Sequence, residues 1–132
     1  MYDINQLMEN PRRVIWRARK RTIFGLPWTF TLYSLTPEKF MLESGFLRRQ
    51  MDEVRLYRVQ DLTFKQSLVE RILGLGTIVV ESGDRSMPHF EIARIRNSRA
   101  FMSLLSDLVE ENRRRNYVYA REVLEHEHDF DH

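Results

Sequence analysis

The sequence predicts one domain of mainly antiparallel β-structure, closed by a single amphipathic helix at its C-terminal end. Seven short segments alternate polar and apolar residues, turn-forming residues separate them, and one long apolar stripe at helical spacing follows. The chain has 132 residues, of which 42% are hydrophobic. A chain of this length buries roughly two thirds of its unfolded surface, so it can form one core unaided by metals or disulfides.

Composition excludes several classes of protein. The hydrophobic fraction is too high for a disordered tract. The sequence contains no cysteine, which excludes disulfide scaffolds, thiolate zinc sites and thiol nucleophiles. There is no run of about 18 apolar residues, and residues 1–10 lack the apolar core of a signal peptide. We therefore expect a cytoplasmic protein, with peripheral attachment to the inner face of the membrane as the other placement.

Alternation of side chains places the seven strands. The first begins at residue 12 and breaks at Gly25, and the others are expected at 30–35, 39–44, 50–56, 61–65, 77–82 and 89–95. Residues 3–10, which end before Pro11, and residues 67–73 have helical spacing but are too short for more than a turn or two. Short bends between neighbouring strands favour antiparallel hairpins.

The last element is a clear amphipathic helix. Asn97 is a suitable N-cap, and the apolar stripe consists of Phe101, Leu104, Leu105, Leu108 and Val109. Such a helix can cover the open end of a barrel, which solves the problem of unpaired sheet edges. We expect Phe101, Leu105 and Leu108 to face Phe40 and Ile78.

The chain beyond this stripe has two interpretations. Residues 110–116 are wholly polar, and Tyr117, Ala120 and Leu124 then resume helical spacing. A helix continuing to about residue 125 would carry this second stripe to a neighbouring subunit or to residues 3–8; otherwise the tail is disordered. The predicted division is an N-terminal segment (1–11), a barrel domain (12–115), and a helical extension with an acidic, histidine-containing tail (116–132).

Charge is distributed unevenly. Residues 1–50 contain nine basic and four acidic side chains, whereas residues 51–132 contain twelve basic and fifteen acidic ones. Arg17, Arg19, Lys20 and Arg21 cluster on the first strand and its exit. Such a cluster can steer an anionic partner, although a solvated strand face explains the same pattern.

Four segments resemble the bacterial pleckstrin-homology (PH-like) domain family. They are WRARKRTIFGLPWTFTLYSLT (16–36), ESGFL (43–47), DEVRLYRVQDLTFKQSLVERILGLGTIVVES (52–82) and FEIARIRN (90–97). The most specific parts are Tyr-x-Leu-Thr at 33–36, Arg-Val-x-Asp-Leu at 58–62, and Gln-Ser-Leu followed by Gly-x-Gly-Thr-Ile at 66–78. Together they cover about residues 12–115.

The resemblance implies a partly open, seven-stranded barrel with a C-terminal helix, in agreement with the strand pattern. It also implies an interaction and self-assembly module of a family often attached to membrane helices, which this sequence lacks. It implies no catalytic residues.

The residues themselves predict no enzyme, cofactor or metal site. His89 is the one histidine outside the tail, and Glu91 on the same strand face could orient it, but a surface pair is the simpler interpretation. The tail contains residues of the kinds that bind metal ions, namely His126, His128, Asp129 and His132. An unstructured tail would bind a metal ion only weakly. The segment around Gly74 and Gly76 is not a phosphate loop, because it lacks the lysine and the following helix that such a loop requires.

Binding partners are therefore the remaining question. A phosphorylated lipid headgroup needs several converging cations, and the second strand supplies none. Nucleic acid is unlikely because the acidic C-terminal half prevents a wide basic footprint. We predict a protein-interaction module that forms homo-oligomers or binds another protein, with an anionic membrane surface as the alternative. The predicted contact residues are Trp16, Phe24, Leu26 and Trp28, and the steering residues are the four cations of the first strand.

Overall fold

The computed structural model describes residues 2–22 and 29–130, the last five by their backbone only. A short helix α1 (Ile4–Met8) precedes four strands, β1 (Trp16–Arg19), β2 (Thr31–Leu35), β3 (Lys39–Ser44) and β4 (Gln50–Arg55). A 3₁₀ turn (Leu56–Arg58) leads to β5 (Val59–Lys65), the short helix α2 (Leu68–Leu73), β6 (Leu75–Ser82) and β7 (His89–Arg96). The chain continues as one long helix, α3 (Ser98–Phe130).

The strands form two antiparallel sheets. The first has the order β1-β2-β3-β4 and the second the order β5-β6-β7. One row of residues across the first sheet, Trp16, Leu35, Phe40 and Val54, faces the interior. The next row, Arg17, Ser34, Met41 and Glu53, lies on the other face because successive side chains alternate. The predicted mainly β fold with seven antiparallel strands is confirmed.

Two contacts join the sheets into a partly open barrel. The Tyr33 hydroxyl on β2 accepts a hydrogen bond from the Ala93 backbone N–H on β7 (3.1 Å). At the end of β1, Arg21 donates its backbone N–H to the Arg94 carbonyl, and the Arg94 guanidinium donates to the Arg21 carbonyl. Arg94 adopts a left-handed conformation (φ 50°) at this contact. Such a conformation is costly for a residue other than glycine, so surrounding contacts must hold it.

The helix α3 closes this barrel as expected. Phe101, Leu105 and Leu108 are buried in the same hydrophobic core as Phe40 and Ile78. The Asn97 carbonyl accepts the first helical hydrogen bond, from Phe101, which is what an N-cap does. The prediction that this stripe covers the barrel is therefore confirmed.

The short helices differ from simple expectation in their packing. α1 packs against the first half of α3 and not against its C-terminal part. Next to α1, the Tyr2 hydroxyl donates a hydrogen bond to Asp107 of α3. α2 exposes its apolar side chains, so Leu68 and Ile72 lie in solvent. Gly74 ends α2 in the left-handed conformation (φ 73°), the usual role of glycine after a helix.

The described part of the tail, up to residue 130, is helical. α3 continues without interruption for 33 residues, about 50 Å. Arg113 is the last residue with a described contact to the barrel, through a hydrogen bond from its guanidinium to the Val59 carbonyl. Residues 113–125 are all exposed. The second stripe therefore meets neither the barrel nor residues 3–8.

Candidate functional site

The basic first strand has two exposed cations and two that are partly enclosed. Arg17 and Arg19 are exposed on the outer face of β1, and Arg19 donates a hydrogen bond to the Thr29 carbonyl (2.8 Å). Lys20 and Arg21 are half-buried, and the Arg21 backbone bonds to Arg94. Of the four predicted steering residues, Arg17 and Arg19 therefore have the more exposed side chains.

Of the four predicted contact residues, the structure describes Trp16, which is half-buried. The Trp16 ring stacks on Phe101 with centroids 3.8 Å apart, so it is part of the closure between β1 and α3. The other three predicted contact residues, Phe24, Leu26 and Trp28, lie outside the described residues.

His89 has a carboxylate partner, but not the one expected. Its Nδ1 lies 2.5 Å from a carboxylate oxygen of Glu81, its cross-strand neighbour in β6. Glu91 instead pairs with Lys65 (2.6 Å), and this hydrogen bond, together with nearby positive charge, lowers the pKa of Glu91. Directly opposite residues on paired strands lie closer than residues two apart on one strand. Both pairs are exposed on the surface of the second sheet.

A groove lies between α1 and α3. It has a volume of about 630 Å³ and an acidic lining that includes Asp3, Asp107 and Glu110. Burial and the hydrogen bond to Asp107 raise the pKa of Tyr2 to about 12, so its hydroxyl stays protonated. Within the described part of the chain, no group of three or more histidine or acidic side chains is arranged to hold a metal ion.

Four exposed apolar side chains at and beside the β3–β4 loop form a surface that we call the hairpin tip: Phe46 and Leu47 in the loop, Phe30 just before β2, and Met51 in β4. Leu47 is 94% exposed and Phe46 is 69% exposed, and the Phe46 ring contacts Phe30 with centroids 4.7 Å apart. Arg48 and Arg49 follow directly in the chain. Arg49 and Arg19 line the same small cavity of about 210 Å³ beside the tip.

The hairpin tip has a defined backbone. Gly45 begins the loop with φ 111°, and its N–H bonds to the Phe30 carbonyl. A Cβ at Gly45 would lie 1.9 Å from the Arg48 carbonyl oxygen, so only glycine fits there. The predicted interaction residues do not include this surface, although consecutive apolar residues directly after a turn glycine are a signal for it in the sequence.

The second exposed surface is the part of α3 beyond the barrel, residues 117–125, which we call the helix extension. Tyr117, Tyr119 and Leu124 are each about two thirds exposed, at 67%, 68% and 66%. At 100° per residue, they and Ala120 and Val123 cover about 160° of the helix circumference. Arg121, Glu122 and Glu125 lie on the other side. The extension is therefore amphipathic although it touches no other described part of the chain.

The direction of the extension is set where α3 leaves the barrel. Asn112 is buried and donates hydrogen bonds to the carbonyls of Pro37 and Leu108, both at 2.7 Å. Glu111, the residue before Asn112, accepts hydrogen bonds from Arg114 and Arg115. These hydrogen bonds lower the pKa of Glu111 to about 2, and the bond from Arg114 has the larger effect. The helix is thus anchored immediately before it enters solvent.

Comparison with known proteins agrees with this architecture. No described helix is both long enough and apolar enough to cross a membrane. No curated protein and no solved structure gives a significant match to the chain. The family model described as "Bacterial PH domain" matches residues 22–109, two thirds of the sequence, from the exit of β1 into the stripe of α3 that closes the barrel. The chain therefore belongs to the bacterial PH domain family.

Proposed function

We propose that this protein is a non-catalytic interaction module that associates with itself through the helix extension. The observation that carries the proposal is the exposed apolar arc of residues 117–125. A solvent-surrounded helix is expected to be polar on all sides. The arc of this helix exposes two tyrosines, a valine and a leucine within nine residues.

Burying the apolar arc against a partner would be favourable, and the helix would lose little conformational entropy on binding. Removing apolar surface from water contributes about 25 cal/mol per Å², and tyrosine provides a large contact area with few rotatable bonds. Because Asn112 and Arg113 already fix the emerging helix, a partner would meet a preformed surface. Preorganisation reduces the entropic cost of binding.

Light scattering at increasing protein concentration tests self-association. We expect the molar mass to rise from 16.0 kDa towards twice that value at micromolar concentration. The double variant Tyr117→Ser/Leu124→Ser should weaken association at least tenfold, since each buried apolar side chain contributes about 1.5 kcal/mol or more.

The control is Leu68→Ser/Ile72→Ser on α2, which removes two equally exposed apolar side chains elsewhere. It should leave the mass unchanged. A monomer across the whole concentration range, or equal weakening by both double variants, would contradict the proposal.

A second candidate function is peripheral binding to an anionic membrane surface, and the hairpin tip favours it. Phe46 and Leu47 project into solvent beside Arg48 and Arg49, with Arg19 lining the adjacent cavity. Apolar side chains that enter the lipid interface, flanked by cations, are typical of interfacial binding. Each cation near an anionic leaflet contributes about 1 kcal/mol. In this candidate function the β3–β4 loop would contact the lipid, and the exposed part of the first strand would lie at the margin of that contact.

Co-sedimentation with vesicles tests this candidate. Binding should require anionic phosphatidylglycerol in phosphatidylcholine vesicles and should decrease as salt is raised, because salt screens exposed charges. Phe46→Ser/Leu47→Ser should reduce the bound fraction severalfold, and the α2 variant Leu68→Ser/Ile72→Ser should not. Equal binding to neutral and anionic vesicles, or no binding to either, would contradict this candidate function.

A further inference from the structure

We infer that the helix extension pairs antiparallel with the same extension of a second copy of this chain. This inference rests on the proposed self-association and adds the partner and the orientation. It concerns the helix extension together with its flanking residues, from Arg113, the last residue with a described contact to the barrel, to the end of α3 at residue 130.

The order of charges along the helix selects the orientation. Residues 113–121 contain four arginines and no acidic residue. Residues 122–130 contain four acidic residues and no lysine or arginine. A parallel pair would place like charges together, which is unfavourable, whereas an antiparallel pair places each basic half beside an acidic half.

The apolar residues fit the same arrangement. Tyr117, Ala120 and Leu124 follow the three-and-four spacing of a helix–helix seam. If the two-fold axis passes near residue 122, Ala120 of one copy meets Leu124 of the other, so a small side chain faces a large one. Both copies then use one surface in the same way, as a closed two-fold dimer requires.

The position of the barrels removes the steric obstacle. Each barrel contacts α3 before the extension begins, through Leu108, Asn112 and Arg113. In an antiparallel pair the two barrels lie at opposite ends of the shared helical segment and do not compete for space. In a parallel pair they would lie side by side at one end.

The absence of cysteine allows the orientation to be measured directly on the full chain. Single cysteines are introduced as Ser103→Cys or Glu122→Cys, both at exposed positions of α3, and spin labels are attached. For an axis near residue 122, a rise of 1.5 Å per residue separates the two labels at position 103 by about 57 Å. The two labels at position 122 should lie within roughly 20 Å, about two helix diameters.

The possible results separate this inference from the proposed function. A long distance at position 103 with a short distance at position 122 supports the antiparallel pair. Short distances at both positions overturn the orientation but leave self-association intact. A dimer with long distances at both positions overturns the extension as the interface. A monomer by light scattering overturns both proposals.

Salt gives an independent readout on the unlabelled protein. The attraction between opposite halves is screened by salt, so the dimer dissociation constant should rise severalfold between low and high ionic strength. A parallel pair would respond in the opposite direction, because salt would relieve its repulsion. Tighter association at high salt would therefore overturn the antiparallel arrangement.

Discussion

Single residues join the two sheets, and Tyr33 is the clearest example. Its ring lies in the core, and its hydroxyl accepts the N–H of Ala93. Burial is the main reason that the pKa of Tyr33 is raised, so the hydroxyl remains neutral. The alternation pattern assigned Tyr33 to β2 but gave no indication that it bonds to a strand 60 residues later.

Replacing Tyr33 with phenylalanine keeps the ring and leaves the buried Ala93 N–H without its partner. An unsatisfied buried donor costs about 1–3 kcal/mol, so Tyr33→Phe should lower the free energy of unfolding by that amount in urea titration. Tyr119→Phe, which removes an exposed hydroxyl, is the control and should change stability by less than about 0.5 kcal/mol. Equal stability of the two variants would refute the role of the Tyr33 hydroxyl.

At the scale of elements, α3 has two parts with different requirements. Its first half is held by the barrel, and Glu111 lies where that half ends, with its side chain 14% exposed. Arg114 and Arg115 hold the pKa of Glu111 at about 2, below its usual value near 4.5. The sequence shows that Glu111 lies three and four residues before Arg114 and Arg115. It does not show that the Glu111 side chain is partly enclosed.

This pKa implies a specific pH dependence of stability. Because the folded-state pKa is depressed, the contribution of Glu111 is present above about pH 4.5 and is lost as pH falls towards 2. The two arginines are largely exposed, so we expect a contribution of about 1 kcal/mol. Glu111→Gln should unfold more easily at pH 6 and approach the parent protein near pH 2. A constant difference across this range would show that the ion pairs contribute nothing.

At the scale of the whole molecule, α3 makes the two sheets one cooperative unit. It packs on the 3₁₀ turn, β5 and β6, and it stacks Phe101 on Trp16 of the other sheet. Leu105 and Leu108 complete the same core. Neither sheet can bury its apolar face without this helix, so the barrel and the first half of α3 should unfold together.

A matched pair of leucines on α3 tests this arrangement. Leu108 is fully buried and Leu124 is exposed, so the same substitution has different consequences. Leu108→Ala should lower the free energy of unfolding by about 2–5 kcal/mol, because it leaves a cavity. Leu124→Ala should change monomer stability by less than about 0.5 kcal/mol. Thermal unfolding at low concentration measures both, and similar losses would contradict the division of α3.

Prediction from sequence succeeded where local patterns decide the structure. The strand β3 and the helix α2 occur within a residue of their expected positions, and the stripe from Phe101 to Leu108 closes the barrel. Prediction was wrong about the partner of His89, because cross-strand register depends on how β6 and β7 pair. It also missed the hairpin tip, because exposure of Phe46 depends on which neighbours surround the loop.

The sequence by itself therefore determined the fold class, since side-chain period and turn residues act over a few positions. It also determined the charge order of the helix extension, which needs no coordinates. Tertiary structure decided which apolar residues are covered: Trp16 is covered by Phe101, whereas Leu47 and Leu124 are not. Burial depends on residues distant in sequence, so identical leucines differ in role according to what the fold places beside them.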